Sequence, residues 1–258
     1  MLKQYVCMKI YIGIIFVIIF IVAFFLFLKS NKAFKDIKLD LGLGAIIFGA
    51  MIAIYSLILA FVVIVVWQQY QVTGDRIETE ASKLYNVYRS TYAFKDSSNS
   101  IIAASMRTGI KSYIRSVQDD EWPSMEFDSS SQKTQKINND LRRLINQIEP
   151  VTEGEKIWYA SAIHDMNQFS EARHFRLSDR DYCIPQVMWL MLIAGAAVII
   201  LFSMFLESNN THHHLMKVLM ISVMIISSLL LVYMLDHPFK GALRLKSTAF
   251  EKIFVGNW

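Results

Sequence analysis

Arginine and histidine supply most of the groups in this chain that could bind or react. Arg173, Arg176 and Arg180 recur at spacings of three and four, which places all three guanidiniums on one helical face. Such a face can hold phosphate headgroups or concentrate anions at the mouth of a pore. The alternative is internal pairing with Asp75, Glu78 or Glu80, because charges near a membrane are commonly neutralised by a partner. His212-His213-His214 is a run of potential metal ligands. Adjacent residues diverge around a helix and no second ligand cluster accompanies them, so the run reads as a solvated loop, 207–214. His164-Asp165 and His174 read as surface or helix-pairing groups. A glycine-rich phosphate loop, HExxH, a CxxC pair and a nucleophile elbow are all missing. The residues therefore point to a chain that is not an enzyme, with no catalytic set, no metal site and no cofactor.

The elements that must position these groups are largely apolar. The 258 residues are 54% hydrophobic, with four prolines. Stretches 10–28, 41–67, 184–206 and 218–235 contain no Lys, Arg, Asp or Glu. Each approaches or exceeds the roughly 20 apolar residues a spanning helix requires. The expected fold class is all-α and polytopic, with four transmembrane helices at about 10–28, 41–67, 184–206 and 215–235. A first hairpin (1–67) and a second (184–235) flank a helical cytoplasmic domain (68–183), and a cytoplasmic tail follows (236–258). The first span reads as a retained anchor rather than a signal peptide, since no small-x-small cleavage site follows it.

Lysine and arginine near the span ends favour both termini and the polar block in the cytoplasm, although Lys29, Lys32, Lys35 and Lys38 crowd the other side. Residues 68–183 carry 15 basic against 17 acidic residues, and the remainder 11 against 5. The positive excess thus lies beside the membrane, where it suits anionic lipid and not nucleic acid. Cys7 and Cys183 both fall on the presumed cytoplasmic side, so no structural disulfide is expected.

The polar block reads as helices. The second span runs on past Gly74 to Tyr92. A further helix over about 99–118, with Ser97, Ser98 and Ser100 as capping candidates, is broken by Asp120-Glu121-Trp122-Pro123. Another carries Ile137, Leu141, Leu144, Ile145 and Ile148 and stops at Glu149-Pro150. The last begins at Thr152-x-x-Glu155, the form of a capping box, with Trp158, Ala162, Met166, Phe169 and Arg173 on one face. Asp236 and Pro238 end the fourth span. Leu243, Leu245, Phe250, Ile253 and Phe254, interspersed with basic residues, suit the membrane surface.

Within the second span Ala45, Gly49, Ala53, Ser56 and Ala60 recur at spacings of four, four, three and four, and Trp67 lies on the same face. Small residues let another backbone approach closely, and they equally could line a narrow pore. No acidic or basic side chain lies well inside any span, which argues against pumps and ion-coupled transporters. A passive pore has no such need.

Leu59-Ala60-Phe61-Val62-Val63 through Trp67-Gln68-Gln69-Tyr70, the Glu121-Trp122-Pro123 turn, Arg173-x-x-Arg176-Leu177 and Leu235-Asp236-His237-Pro238-Phe239 together resemble the bacterial bestrophin-like membrane proteins, over roughly residues 40–255. The resemblance implies four membrane helices with a helical cytoplasmic part between the second and third, in a bacterial inner membrane. It further implies kinship with bestrophins, oligomeric anion channels lined by their second span. No acidic cluster has calcium-ligand spacing, so calcium gating is not carried over. The expected function is a homo-oligomeric ion channel, anion-conducting, in contact with lipid. Gly49, Ala53, Ser56, Ala60 and Trp67 would line its pore, with Arg173, Arg176 and Arg180 at the cytoplasmic mouth or on headgroups. The alternative is a non-conducting scaffold or signalling protein whose cytoplasmic helices bind a partner.

Overall fold

A 50-residue helix, α1 (Leu41–Ser90), dominates the computed structural model, which describes residues 41–94, 99–181, 183–205 and 211–255. The expected first span and Cys7 lie outside the described residues. At 1.5 Å per residue α1 is about 75 Å long, more than twice a bilayer's hydrocarbon core. It has no proline, and Gly74 does not interrupt it. Its inward face repeats every three or four residues: Phe48, Ile52, Tyr55, Leu59, Val62 and Val66, then Thr73, Ile77, Glu80, Leu84 and Val87, all buried or half-buried. This narrow seam has the 3.5-residue period of helix-on-helix packing.

After the 3₁₀ turn Thr91–Phe94 come α2 (Ser100–Ser116), a π turn (Val117–Glu121), α3 (Trp122–Met125), α4 (Gln132–Ile145), α5 (Glu153–Asp179), α6 (Gln186–Phe205), α7 (Thr211–Asp236) and α8 (Thr248–Val255). There is no strand among the described residues. Three of these helices, in α1, α6 and α7, are long and apolar enough to cross a membrane.

The chain divides into two compact units. The first comprises Met1–Gln69, Cys183–His237 and Gly241–Leu243; the second comprises Tyr70–Tyr182, Pro238–Lys240 and Arg244–Trp258. In the first, the Cδ2–Cε2 edge of the Tyr55 ring on α1 presses against Gly195 of α6. A Cβ at 195 would stand 2.7 Å from the Tyr55 ring. The phenol donates to the Leu192 carbonyl at 3.2 Å, and Phe48 stacks on Phe202 with centroids 5.6 Å apart. At the far end of α7, Asp236 accepts from the Ile184 backbone N–H at 2.8 Å and from the Trp189 indole at 3.2 Å. The carboxylate thereby satisfies a donor just ahead of α6, where no intrahelical carbonyl is available.

The second unit has one core, built from Ile77, Leu84, Met106, Ile110, Tyr113, Leu141, Phe169 and Phe250 among others. The capping box at the start of α5 is formed: the Glu155 N–H donates to Thr152 Oγ1 at 3.1 Å and the Thr152 N–H to Glu155 Oε2 at 3.3 Å. Helix α2 is capped differently from the expectation. Asn99 occupies the N-cap without a side-chain cap bond. Its amide pairs instead with the backbone of Glu149, donating at 2.9 Å and accepting at 3.1 Å.

Three further expectations are corrected. Asp120-Glu121-Trp122-Pro123 does not break the chain's helical path, because a π turn carries it into α3 with Pro123 in the first turn, where a missing N–H costs nothing. Phe250 and Ile253 are buried in the second unit's core rather than free to lie on a membrane, since α8 turns that face inward. The histidine run is not wholly loop: Thr211 begins α7, and His214 Nε2 lies 3.3 Å from the Met204 carbonyl.

Candidate functional site

In the first unit the small-residue stripe of α1 is uncovered. Gly49, Ala53, Ser56 and Ala60 are all exposed, and a Cβ added at Gly49 would meet nothing within 4 Å. Trp67, on the same face, is 48% exposed. The neighbouring face, one residue earlier at each step and about 100° round the helix, carries Tyr55, Val62 and Val66 and is buried. The two faces of α1 therefore differ in what they bury and in side-chain size. Ser56 donates its hydroxyl to the Ala53 carbonyl at 2.9 Å, which turns the proton into the helix and leaves the oxygen's lone pairs outward. On one flank of the stripe, Ser56 and Ala60 also border an apolar groove of about 610 Å³, completed by Ile199, Ile221, Met224 and Ser228.

The arginines are in the second unit, and two of the three are buried. Arg176 is fully enclosed. Its Nε donates to Glu80 Oε2 at 2.6 Å, and its Nη2 to Glu80 Oε1 at 3.1 Å and Glu121 Oε1 at 2.6 Å. Nη1 meets the Met125 sulfur at 2.9 Å, and the guanidinium lies 5.0 Å from the centre of the Trp122 ring. Arg173 donates to the second oxygen of Glu121 at 2.6 Å and to Gln135 at 2.6 Å. Tyr113 closes the set, its hydroxyl donating to Glu80 Oε1 at 2.7 Å. Two cations and two anions thus balance inside an apolar core.

Each member arrives from a different element. Glu80 lies on the inward seam of α1, Tyr113 on α2, and the arginines one turn apart on α5. The π turn delivers Glu121: its extra residue per turn rotates the backbone, so that Glu121 points in while Asp119 is exposed. Burial alone would lower the Arg176 pKa, but the Glu80 and Glu121 carboxylates more than reverse this and hold it above its ordinary value. Burial, reinforced by Glu80, pushes the Tyr113 phenol well above its ordinary 10.0. The phenol therefore stays protonated and serves as a fixed donor.

Around this set, Asp179 accepts from Thr73 at 3.1 Å and from Arg76, whose guanidinium lies 4.8 Å from the Phe175 ring centre. The Trp122 indole donates to the Leu245 carbonyl at 3.1 Å, and its ring contacts Phe239 and Phe250 edge-on. Lys240 pairs with Asp128 at 2.6 Å and Arg244 with Glu126 at 2.8 Å. Arg180 is the partly exposed member of its trio, held bidentately by Asp181 with both contacts at 2.8 Å.

The structure thus brings Arg173 and Arg176 together and sets Arg180 apart from them. Of the acids named as alternative partners, Glu80 takes Arg176, while Asp75 and Glu78 are exposed. The engagement of Arg173 and Arg176 by buried carboxylates supports internal pairing for these two. Sequence reasoning missed Glu121 and Tyr113. The available signal was that Arg173 and Arg176 continue the apolar face of Met166 and Phe169, so their burial demands two carboxylates from elsewhere.

Comparison with known proteins places this geometry in a family. A Bestrophin-like domain model matches residues 14–250. No match was found among curated proteins. Among solved structures, the chain is similar to a crystal structure of a bacterial bestrophin homolog from Klebsiella pneumoniae carrying a single substitution, at TM-score 0.68 and 14% identity, covering 93% of this chain and 96% of that one. It is similar also to a crystal structure of a membrane-protein variant at TM-score 0.72 and 13% identity, covering 93% and 95%. With its apolar helices and this match, the chain is an integral membrane protein that belongs to the Bestrophin-like family.

Proposed function

We propose that the protein is a homo-oligomeric ion channel of a bacterial inner membrane. Copies of α1 surround a central axis with Gly49, Ala53, Ser56 and Ala60 facing inward and Trp67 near the cytoplasmic mouth. The observation that carries this reading is the asymmetry of α1: its small-residue stripe is exposed while the flanking seam, one residue earlier at each step, is packed against α6 and α7. Family membership and the fold's likeness to a bacterial bestrophin homolog support it. In this arrangement the chain has four spans and a helical cytoplasmic domain at 68–183, with both termini cytoplasmic. A neck so poor in polar groups strips ion hydration at high cost, so it closes by dewetting. The positive excess outside residues 68–183 favours anions and contact with acidic lipid headgroups. Of the three arginines proposed for the cytoplasmic mouth or headgroup contact, Arg180 is the least buried, with Asp181 paired to it.

Ser56 supports a second reading of selectivity. With its proton on the Ala53 carbonyl, the hydroxyl presents only lone pairs outward, which suit a cation. Reversal potentials of purified protein in asymmetric NaCl, potassium gluconate and N-methyl-glucamine chloride decide between them. An anion pore follows the chloride equilibrium potential, and a cation pore follows sodium or potassium.

The apolar groove flanking Ser56 and Ala60 supports a different class of function, a non-conducting scaffold in which the stripe is only a packing seam. Absence of current above background in every salt, from protein shown to be assembled, would establish that reading instead.

A further inference from the structure

We propose that Cys183, Asp236 and His237 form a site for a borderline-soft divalent cation, zinc in particular, where the start of α6 meets the end of α7. One donor atom from each of the three side chains lies within 4.8 Å of the other two. All three belong to the first unit.

The neighbours prepare the donors. His237 Nδ1 is 3.1 Å from the Tyr233 carbonyl. A carbonyl can only accept, so Nδ1 carries the proton and Nε2 of the neutral ring keeps its lone pair. That lone pair belongs to the nitrogen nearer the thiol, with Nε2 3.9 Å from Cys183 Sγ. Sulfur and imidazole ligands on one tetrahedral zinc ion stand about 3.6 Å apart, so a movement of a few tenths of an ångström brings these two into register. Asp236 Oδ2 lies 3.9 Å from Nδ1, so the carboxylate must swing toward Nε2 to complete the set. Asp236 is buried, and its two oxygens are oriented by the Ile184 N–H and the Trp189 indole. Each oxygen spends one lone pair on these bonds and retains another. A carbonyl holding the histidine tautomer and N–H donors holding the carboxylate are the outer contacts that metal ligands characteristically have.

The donor set selects the ion. One thiolate, one imidazole and one carboxylate suit zinc, whereas calcium and magnesium demand oxygen throughout. Cys183 is exposed, so the ion has access and a fourth position is left for water. Binding displaces the thiol proton to solvent, so affinity rises with pH. Spacing gave no hint of the site, because Cys183 is remote in sequence from Asp236-His237 and no CxxC or HxxH pattern marks it.

The test uses the full-length protein in detergent, stripped with chelator and titrated with Co²⁺ and then Zn²⁺. The expected result is one Co²⁺ per chain with a near-ultraviolet thiolate charge-transfer band that Zn²⁺ abolishes. The band is expected to vanish in Cys183→Ser and in His237→Ala and to persist in Cys7→Ser and in a His212→Ala/His213→Ala/His214→Ala variant. Trp189→Phe, which removes the indole hydrogen bond to Asp236 while keeping an aromatic ring beside Tyr233, is expected to weaken binding about tenfold or more. Absence of the band in the native chain, or a band unchanged by His237→Ala, overturns the proposal.

Discussion

At the scale of residues, the second unit stakes its core on four buried charges. Glu121 bridges Arg173 and Arg176, and Glu80 also bonds to Arg176, so no pair can be removed in isolation. A buried ion pair adds little net stability over an apolar one, but deleting one partner strands the other without water. Glu121→Gln is expected to destabilise by about 3–5 kcal/mol in detergent-based unfolding, and adding Arg173→Met is expected to recover much of that loss by restoring charge balance. Tyr113 makes a pH prediction. Its phenol is raised above 10.0 in the folded chain, so the folded state retains a proton that the unfolded chain releases above that pH. Stability from this group is fully present below about pH 10 and falls as pH climbs beyond it. Tyr113→Phe is expected to flatten that alkaline decline in melting temperature measured across pH 9–11. The partnership of Arg176 with Glu80 was foreshadowed by spacing, whereas Glu121 was hidden because it sits in a stretch whose Asp-Glu-Trp-Pro composition reads as a helix end.

At the scale of elements, local pattern carried most of the information. Helix α1 past Gly74, the Thr152/Glu155 capping box and the stop at Asp236 follow from apolar period and cap chemistry in the sequence alone. The π turn and α8 did not. A π turn depends on what Glu121 must reach, and α8 is buried only because Trp122 and Phe239 await Phe250. Tertiary partners decide both, and no window of sequence contains them. The contact of α1 with α6 was equally invisible, since nothing in the sequence pairs Tyr55 with Gly195. It makes a sharp prediction. Gly195→Ala places a methyl 2.7 Å from a rigid ring and is expected to cost about 1–3 kcal/mol, read as a lowered melting temperature. Tyr55→Leu in the same chain is expected to relieve the clash, giving a double variant more stable than the two single effects predict in sum.

At the scale of the whole molecule, the family and the helical architecture were legible from a handful of motifs. The same motifs now have physical roles. Glu121-Trp122-Pro123 supplies a carboxylate, a ring over Arg176 and a proline at the start of α3. Arg173-x-x-Arg176 supplies the cations that Glu121, together with Glu80, neutralises. Leu235-Asp236-His237 ends α7 and fixes the backbone ahead of α6. The proposed function rests on α1. A pore wall and a packing seam make opposite demands on Ala53, which is small and exposed on the stripe. The most direct measurement compares native and Ala53→Leu protein, purified, sized by native mass spectrometry and recorded in planar bilayers. A channel lined by α1 predicts ion current above background from the native chain, with Ala53→Leu keeping the same subunit number and changing the current severalfold. No current from the assembled native chain, or dissociation of the oligomer by Ala53→Leu, would contradict it.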